Sequence, residues 1–224
     1  MNNMKRLVFI HNDPNVDKGS ITNKNIPIVE YKAWENPWSE LLKNDYVVVL
    51  GGHMGAYDTN IYSYLEEEKK WIGNFVNDNG NLLGICLGAQ MLADSIGGSA
   101  FLSDKLEFGV KQFEVLSSNN LLIHFNNQPV FTWHRDTFKL PDDIDVIAQT
   151  DYPQIFTYKS SIGLQFHPEI TLEQFEKWIR TDGTKEEVNN NGYSIKGVRD
   201  KIALNELHMK ERVNHFVNDW LFPK

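Results

Sequence analysis

Short runs that are apolar at nearly every position constrain this chain more than any other feature. Residues 6–10, 27–29, 46–50 and 81–85 are brief and rich in Val, Ile and Leu. A strand wetted on one side alternates polar and apolar residues, whereas one that is apolar throughout needs cover on both faces. That cover is characteristic of a largely parallel sheet with helices above and below, so the runs predict an α/β protein. Weaker strands are expected over 107–116, 146–149, 154–159 and 161–166.

The intervening segments supply the helices. Ile61, Tyr64, Leu65, Ile72, Phe75 and Val76 recur at helical spacing, with Glu66, Glu67, Lys69 and Lys70 opposite. A second helix is expected from about Ala89 to Ile96, stopped by Gly97 and Gly98. Thr171 and Gln174 form a capping-box pattern that starts a short helix. Met209, Val213, Phe216, Val217 and Trp220 define a closing helix, and Ile202 extends its stripe with Glu206 as one polar interruption. The polar stretch 181–193, with its NNNG run, reads as a surface loop.

With 224 residues, 41% of them hydrophobic, the chain can bury a full core and is expected to fold as one domain over 1–224. Its net charge of -8 argues against nucleic acid or an anionic membrane as a partner. The apolar run Leu7–Ile10 near the amino terminus is too short for a signal peptide or a membrane span. A single cysteine permits no internal disulfide, so a reducing cytoplasm is the expected location. That cysteine, Cys86, is a buried filler, a redox sensor or a nucleophile.

Its surroundings favour the last. Gly84-Ile85-Cys86-Leu87-Gly88 is the thiol counterpart of the G-x-S-x-G elbow, placed between an expected strand and an expected helix. A residue at such a turn is thrust into the open, and the helix N-terminus behind it favours thiolate over thiol. A nucleophile of this kind needs a base. In Ser161-Ile-Gly-Leu-Gln-Phe-His-Pro-Glu169, strand alternation puts Ile162, Leu164 and Phe166 on one face and Gln165 and His167 on the other. The same parity brings Glu169 beside His167, where a carboxylate can fix the imidazole tautomer. Gly51-Gly52-His53 follows another expected strand, at the end where ligand sites of open sheets gather, and its N–H groups with that of Leu87 can form an oxyanion hole.

Four segments, VVVLGGHMGAYD at 47–58, GICLGAQMLADSIGG at 84–98, FTWHRDTFKLP at 131–141 and IGLQFHPEIT at 162–171, together resemble the class I glutamine amidotransferases. Within that family the chain looks similar to stand-alone proteins related to the glutaminase part of GMP synthase. The resemblance implies a flavodoxin-like open sheet, mostly parallel, with helices on both faces. It makes Cys86 the nucleophile, His167 the general acid and base, and Glu169 its orienting partner. It places oxyanion donors at Gly52 and Leu87 and the substrate pocket beside Gln90, Gly51 and His53. No cofactor and no metal are implied. The expected reaction releases ammonia and glutamate from glutamine through a cysteine thioester, for a separate synthetase or acceptor subunit. Two alternatives stand beside it: a γ-glutamyl peptide or conjugate hydrolase on the same residues, and a binding or regulatory subunit without activity, against which the intact set counts.

The chain also departs from the family pattern. His53 replaces a frequent proline, and FGVKQFEV at 108–115 lacks the usual tryptophan, so the adjoining pocket wall is expected to differ. The span 20–30 is short for a first helix. Trp133, His134 and Asp136 match the family's WHxD pattern with no chemical role readable from sequence.

Overall fold

A computed structural model describes residues 5–223. In chain order the elements are β1 (Leu7–His11), β2 (Ile28–Lys32), a 3-10 turn (Trp38–Glu40), β3 (Tyr46–Val49), α1 (Tyr64–Asn77), β4 (Asn81–Ile85) and α2 (Leu87–Ser95). Then follow β5 (Ser99–Lys111), β6 (Glu114–Val115), α3 (Leu122–Phe125), β7 (Val130–Lys139), β8 (Val146–Gln149), β9 (Pro153–Tyr158) and β10 (Ser161–Leu164). The chain closes with α4 (Leu172–Ile179), α5 (Thr184–Asn190) and α6 (Ile195–Leu221).

Eight strands form one sheet in the order β2-β1-β3-β4-β10-β9-β8-β6. The pairs from β2 through β10 are parallel, and the three beyond β10 are antiparallel. The apolar runs explain the layering. On β1, Leu7 and Phe9 join one core cluster and Val8 and Ile10 the other, and β3 divides its side chains in the same way. One face is covered by α1 and α2 through Leu65, Ile72, Phe75, Met91 and Leu92. The other is covered by α6 through Val213, Phe216, Val217 and Leu221. This is the largely parallel sheet that the sequence pattern predicted, in the flavodoxin-like form that the resemblance implied.

Several local expectations need correction. The stretch 181–193 is not simply a loop, because it contains α5, whose Val188 is buried in a third cluster with Val198 and Ile202 of α6. The strand expected over 107–116 is the second half of the longer β5 followed by the separate β6. Residues 130–139, read from sequence only as a motif, form β7, which pairs antiparallel with β5 as a second, two-stranded sheet. Ile61 lies outside α1 and is 74% exposed. No helix among the described residues links β1 to β2, as the short span between them suggested.

The capping signals act as read. Thr171 Oγ1 accepts from the Gln174 amide at 3.1 Å, but the Gln174 side chain turns away to donate to the Asp17 carbonyl at 3.0 Å. The polar interruption at Glu206 has a use: its carboxylate accepts the Leu172 amide at 2.8 Å, satisfying the first orphan donor of α4. At the end of α2, Gly97 and Gly98 donate to Asp94 and Ala93 in the paired pattern of a Schellman motif.

Candidate active site

Cys86 stands between β4 and α2 with φ 51 and ψ -107, a backbone conformation that L residues rarely adopt. Three contacts hold it there. Its amide donates to the Leu164 carbonyl of β10 at 2.8 Å, and its own carbonyl accepts from Ala89 and Gln90 at 3.0 and 3.1 Å. The flanking glycines make the turn possible: a Cβ on Gly84 would strike the Gly88 backbone, and one on Gly88 would strike the Val49 carbonyl of β3. The G-x-C-x-G spacing is thus a record of how closely elbow, helix and central strands approach.

His167 follows β10 and forms a separate antiparallel bridge to β7, its amide donating to the Phe131 carbonyl at 2.8 Å. Its Nδ1 donates to Glu169 Oε1 at 2.7 Å, and both side chains are buried. Burial by itself disfavours the charged ring. The Glu169 carboxylate and Cys86 outweigh it and hold the His167 pKa well above its ordinary value. The ring edge lies by Gly51, where a Cβ would stand 3.3 Å from His167 Cε1 and 3.6 Å from Cys86 Cβ. Thiol, imidazole and carboxylate are therefore assembled in the order the sequence suggested.

Gly52 and Leu87 also come together, because a Cβ on Gly52 would stand 2.9 Å from Leu87 Cδ2. The Leu87 amide is the first of α2 and has no intrahelical partner. His53, in the position often taken by proline, is fastened on both sides. Its Nδ1 pairs with Asp13 and its Nε2 with the Tyr62 hydroxyl at 2.8 Å. Gln90 is buried, and its Nε2 donates to the Asp136 carbonyl at 3.0 Å and to Gln165 Oε1 at 3.2 Å. In this arrangement Gln90 ties α2 to β7 and to the residue that follows β10 at the cavity wall.

The cavity in front of Cys86 has a volume of about 430 Å³, within the usual span for small-molecule sites. Asp13, Gly52, His53, Cys86, Gln90 and His167 line it. Part of the remaining wall comes from places that sequence reasoning did not assign to the site: Trp133 and Arg135 of β7, Trp178 of α4, and Thr181, Thr184 and Glu187 at and before α5. Arg135 and Glu187 form an ion pair at 3.0 Å, which joins α5 to the motif strand. The 108–115 segment is not part of this wall. Phe108 instead packs edge-on to Trp133 with ring centroids 4.9 Å apart, and β5 lends the cavity Leu102 and Leu106. His134 also lines the cavity but is buried with both ring nitrogens engaged: its Nε2 pairs with Glu107 at 2.8 Å and its Nδ1 donates to the Asp136 carbonyl at 2.9 Å. Asp136 accepts from the Tyr57 hydroxyl at 3.1 Å. Among the described residues no three His, Cys, Asp or Glu side chains gather to hold a metal ion, and no helix is long and apolar enough to cross a membrane.

The family model described as glutamine amidotransferase class-I matches residues 17–185 of the 224. The chain belongs to the class I glutamine amidotransferases. A glutamine amidotransferase-like protein of Acanthamoeba polyphaga mimivirus is 30% identical over 141 residues, covering 62% of this chain and 64% of that protein. A GMP synthase (glutamine-hydrolyzing) of Alteromonas mediterranea is 36% identical over 104 residues, 40% of this chain and 20% of the synthase. The chain thus spans less than two thirds of both curated relatives. The crystal structure of a Thermotoga maritima glutamine amidotransferase superposes with a TM-score of 0.85 at 27% identity, covering 99% of this chain and 100% of that one. For this class I chain, the strained elbow, the buried His167–Glu169 pair and the paired Gly52 and Leu87 all fall inside the matched span.

Proposed function

We propose that this chain hydrolyses the side-chain amide of glutamine through a thioester on Cys86 and delivers the ammonia to a separate acceptor enzyme. The observation that carries this reading is the strained Cys86 turn, with the buried His167–Glu169 pair beside it at one end of the cavity. An imidazole with a raised pKa next to a thiol favours the thiolate–imidazolium pair. The thiolate sulfur attacks the glutamine amide carbon, and the carbonyl electrons move onto oxygen, which faces the amides of Gly52 and Leu87. The imidazolium of His167 gives its proton to the departing nitrogen, ammonia leaves, and a γ-glutamyl thioester remains. Water, deprotonated by the now neutral His167, attacks that thioester; the carbon–sulfur bond breaks, glutamate is released, and the Cys86 thiolate and the His167 imidazolium are restored. Glu169 keeps the Nε2 side of the ring turned toward the sulfur throughout.

The cysteine chemistry is tested by incubating the purified chain with glutamine, quenching in acid and weighing the protein. A glutamyl adduct lost in Cys86→Ala is expected, with ammonia and glutamate released in equal amounts. Absence of both adduct and ammonia, with and without candidate acceptor enzymes, overturns the reading. Rapid cleavage of γ-glutamyl dipeptides with little action on glutamine would replace the substrate while leaving the three residues in their roles.

A further inference from the structure

The turn that follows β1 lies directly beneath the Gly51–His53 loop. Asp13 Oδ2 accepts from the His53 amide at 3.3 Å, and a Cβ on Gly52 would stand 3.7 Å from Asn12 Cβ. Asn12 is 1% exposed and is gripped from α1. The Tyr64 hydroxyl donates to its carbonyl at 2.7 Å, and its side-chain Nδ2 donates to Glu68 Oε1 at 3.2 Å. Glu68 is a completely buried carboxyl on the inner face of α1. The groups that face it are Asn12 from the end of β1, Tyr64 from its own helix and Tyr31 from β2. Among the described residues no ion pair includes it, and Asn12 is its hydrogen-bond partner.

Two oxygens in this pair are buried without partners: Asn12 Oδ1 and Glu68 Oε2. A carboxylate can only accept, so ionised Glu68 would leave both of them unsatisfied. A carboxylic acid carries one proton on Oε2 and can donate it toward Asn12 Oδ1 while Oε1 accepts from Nδ2, which satisfies the pair from both sides. Such a reciprocal acid–amide pair fixes the Asn12 side chain, and with it the turn on which Gly52 and His53 rest.

We propose that Glu68, in its neutral form, is a positioning residue for the oxyanion loop, acting through Asn12 and Asp13 on the amide of Gly52. The inference rests on the hydrolase reading for its catalytic meaning, though not for its structural one. Burial supports it by raising the Glu68 pKa from 4.5 to about 8, against the hydrogen bond from Asn12, which works in the other direction. Tyr31 and Tyr64 remain neutral over that range, since the pKa of each is raised to about 12 or beyond, chiefly by burial. Loss of the Glu68 proton therefore removes the donor from Asn12 and loosens the loop.

Carbonyl-13C NMR of glycine-labelled protein, recorded from about pH 6 to about pH 10, reads the loop whether or not glutamine is the substrate. In the wild type the Gly52 resonance is expected to inflect near pH 8. In Glu68→Gln, whose amide can donate and accept in the same places without titrating, that inflection is expected to vanish. Asn12→Ala cuts the link while leaving the acid, and it too should flatten the Gly52 curve, so the test does not depend on one variant folding. With glutamine, Glu68→Gln should keep kcat at neutral pH within about threefold and extend it to higher pH, whereas Glu68→Ala should lose about tenfold in kcat with little change in KM. A wild-type curve without inflection, or an inflection that persists in Glu68→Gln, overturns the proposal. Failure to turn over glutamine, with the NMR behaviour intact, refutes the hydrolase reading alone.

Discussion

Replacing Cys86 by glycine and by alanine separates the mechanics of the elbow from its chemistry. Both variants lose the sulfur, so the difference between them is one buried methyl group and the backbone that carries it. At an ordinary site alanine is the more stable choice: the methyl is worth about 0.8 kcal/mol when buried, and glycine gives the unfolded chain a further 0.4–1 kcal/mol or so of freedom. Position 86 is not ordinary. Its φ of 51 and ψ of -107 lie outside the left-handed helical well, where strain for an L residue reaches about 3 kcal/mol and glycine escapes most of it. The balance favours glycine by about 1 kcal/mol, and for a chain of this size that separates the melting temperatures by about 2–4 °C. Calorimetric melts of the two thiol-free variants provide the assay. Equal melting temperatures, or a higher one for Cys86→Ala, would show that the turn is not strained and would refute the account of how this largely buried cysteine is held at the cavity wall.

Glu169→Gln should reduce turnover less than His167→Ala, because the amide still orients the ring whereas the second variant removes proton transfer; reversed losses in steady-state kinetics would exchange their roles. Gly88→Ala should destabilise the fold by about 1–3 kcal/mol in urea melts, since its Cβ would meet the Val49 carbonyl. Thr171→Ala should cost about 1 kcal/mol through the lost cap of α4, again read by urea. Burial would raise the Glu107 pKa, but His134 and Lys111 hold it down to about 2, so its contribution is present above its unfolded value of 4.5 and is lost as pH falls through about 2. Wild type should therefore lose about 3 kcal/mol more than Glu107→Gln between neutral pH and about pH 2, measured by acid-dependent denaturation.

What the sequence made legible follows the range over which each signal acts. The strands of the parallel half were readable because their apolar character is continuous and local, and alternation alone put His167 and Glu169 on one side. β7 was missed because its residues serve several surroundings at once. Phe131 enters one core, Trp133 and Arg135 face the cavity, and His134 reaches Glu107. No simple period survives that division. The helix α5 hides in a polar run whose buried anchor is Val188. Asn12, Asp13 and Glu68 carry no motif, and their relation to Gly52 exists only after β1, β3 and α1 are packed side by side. The 108–115 segment misled for a related reason: a change in a motif marks altered packing, and here the packing is against Trp133 rather than against substrate.

The bond from the Cys86 amide to the Leu164 carbonyl has a bearing on how the molecule matures. β4 and β10 are neighbours in the sheet, paired from Ile162 with Leu83 to Leu164 with Ile85, yet nearly eighty residues of chain separate them. A nascent polypeptide can pair β1, β2, β3 and β4 early, but at that stage the elbow has neither the carbonyl that fixes its amide nor the imidazole that lies beside its thiol. Closing that long loop brings the anchoring carbonyl and His167 to the elbow in one event, so on the mechanism proposed above the Cys86 of an incomplete or half-unfolded chain lacks its base until the last strand of the parallel sheet is in place.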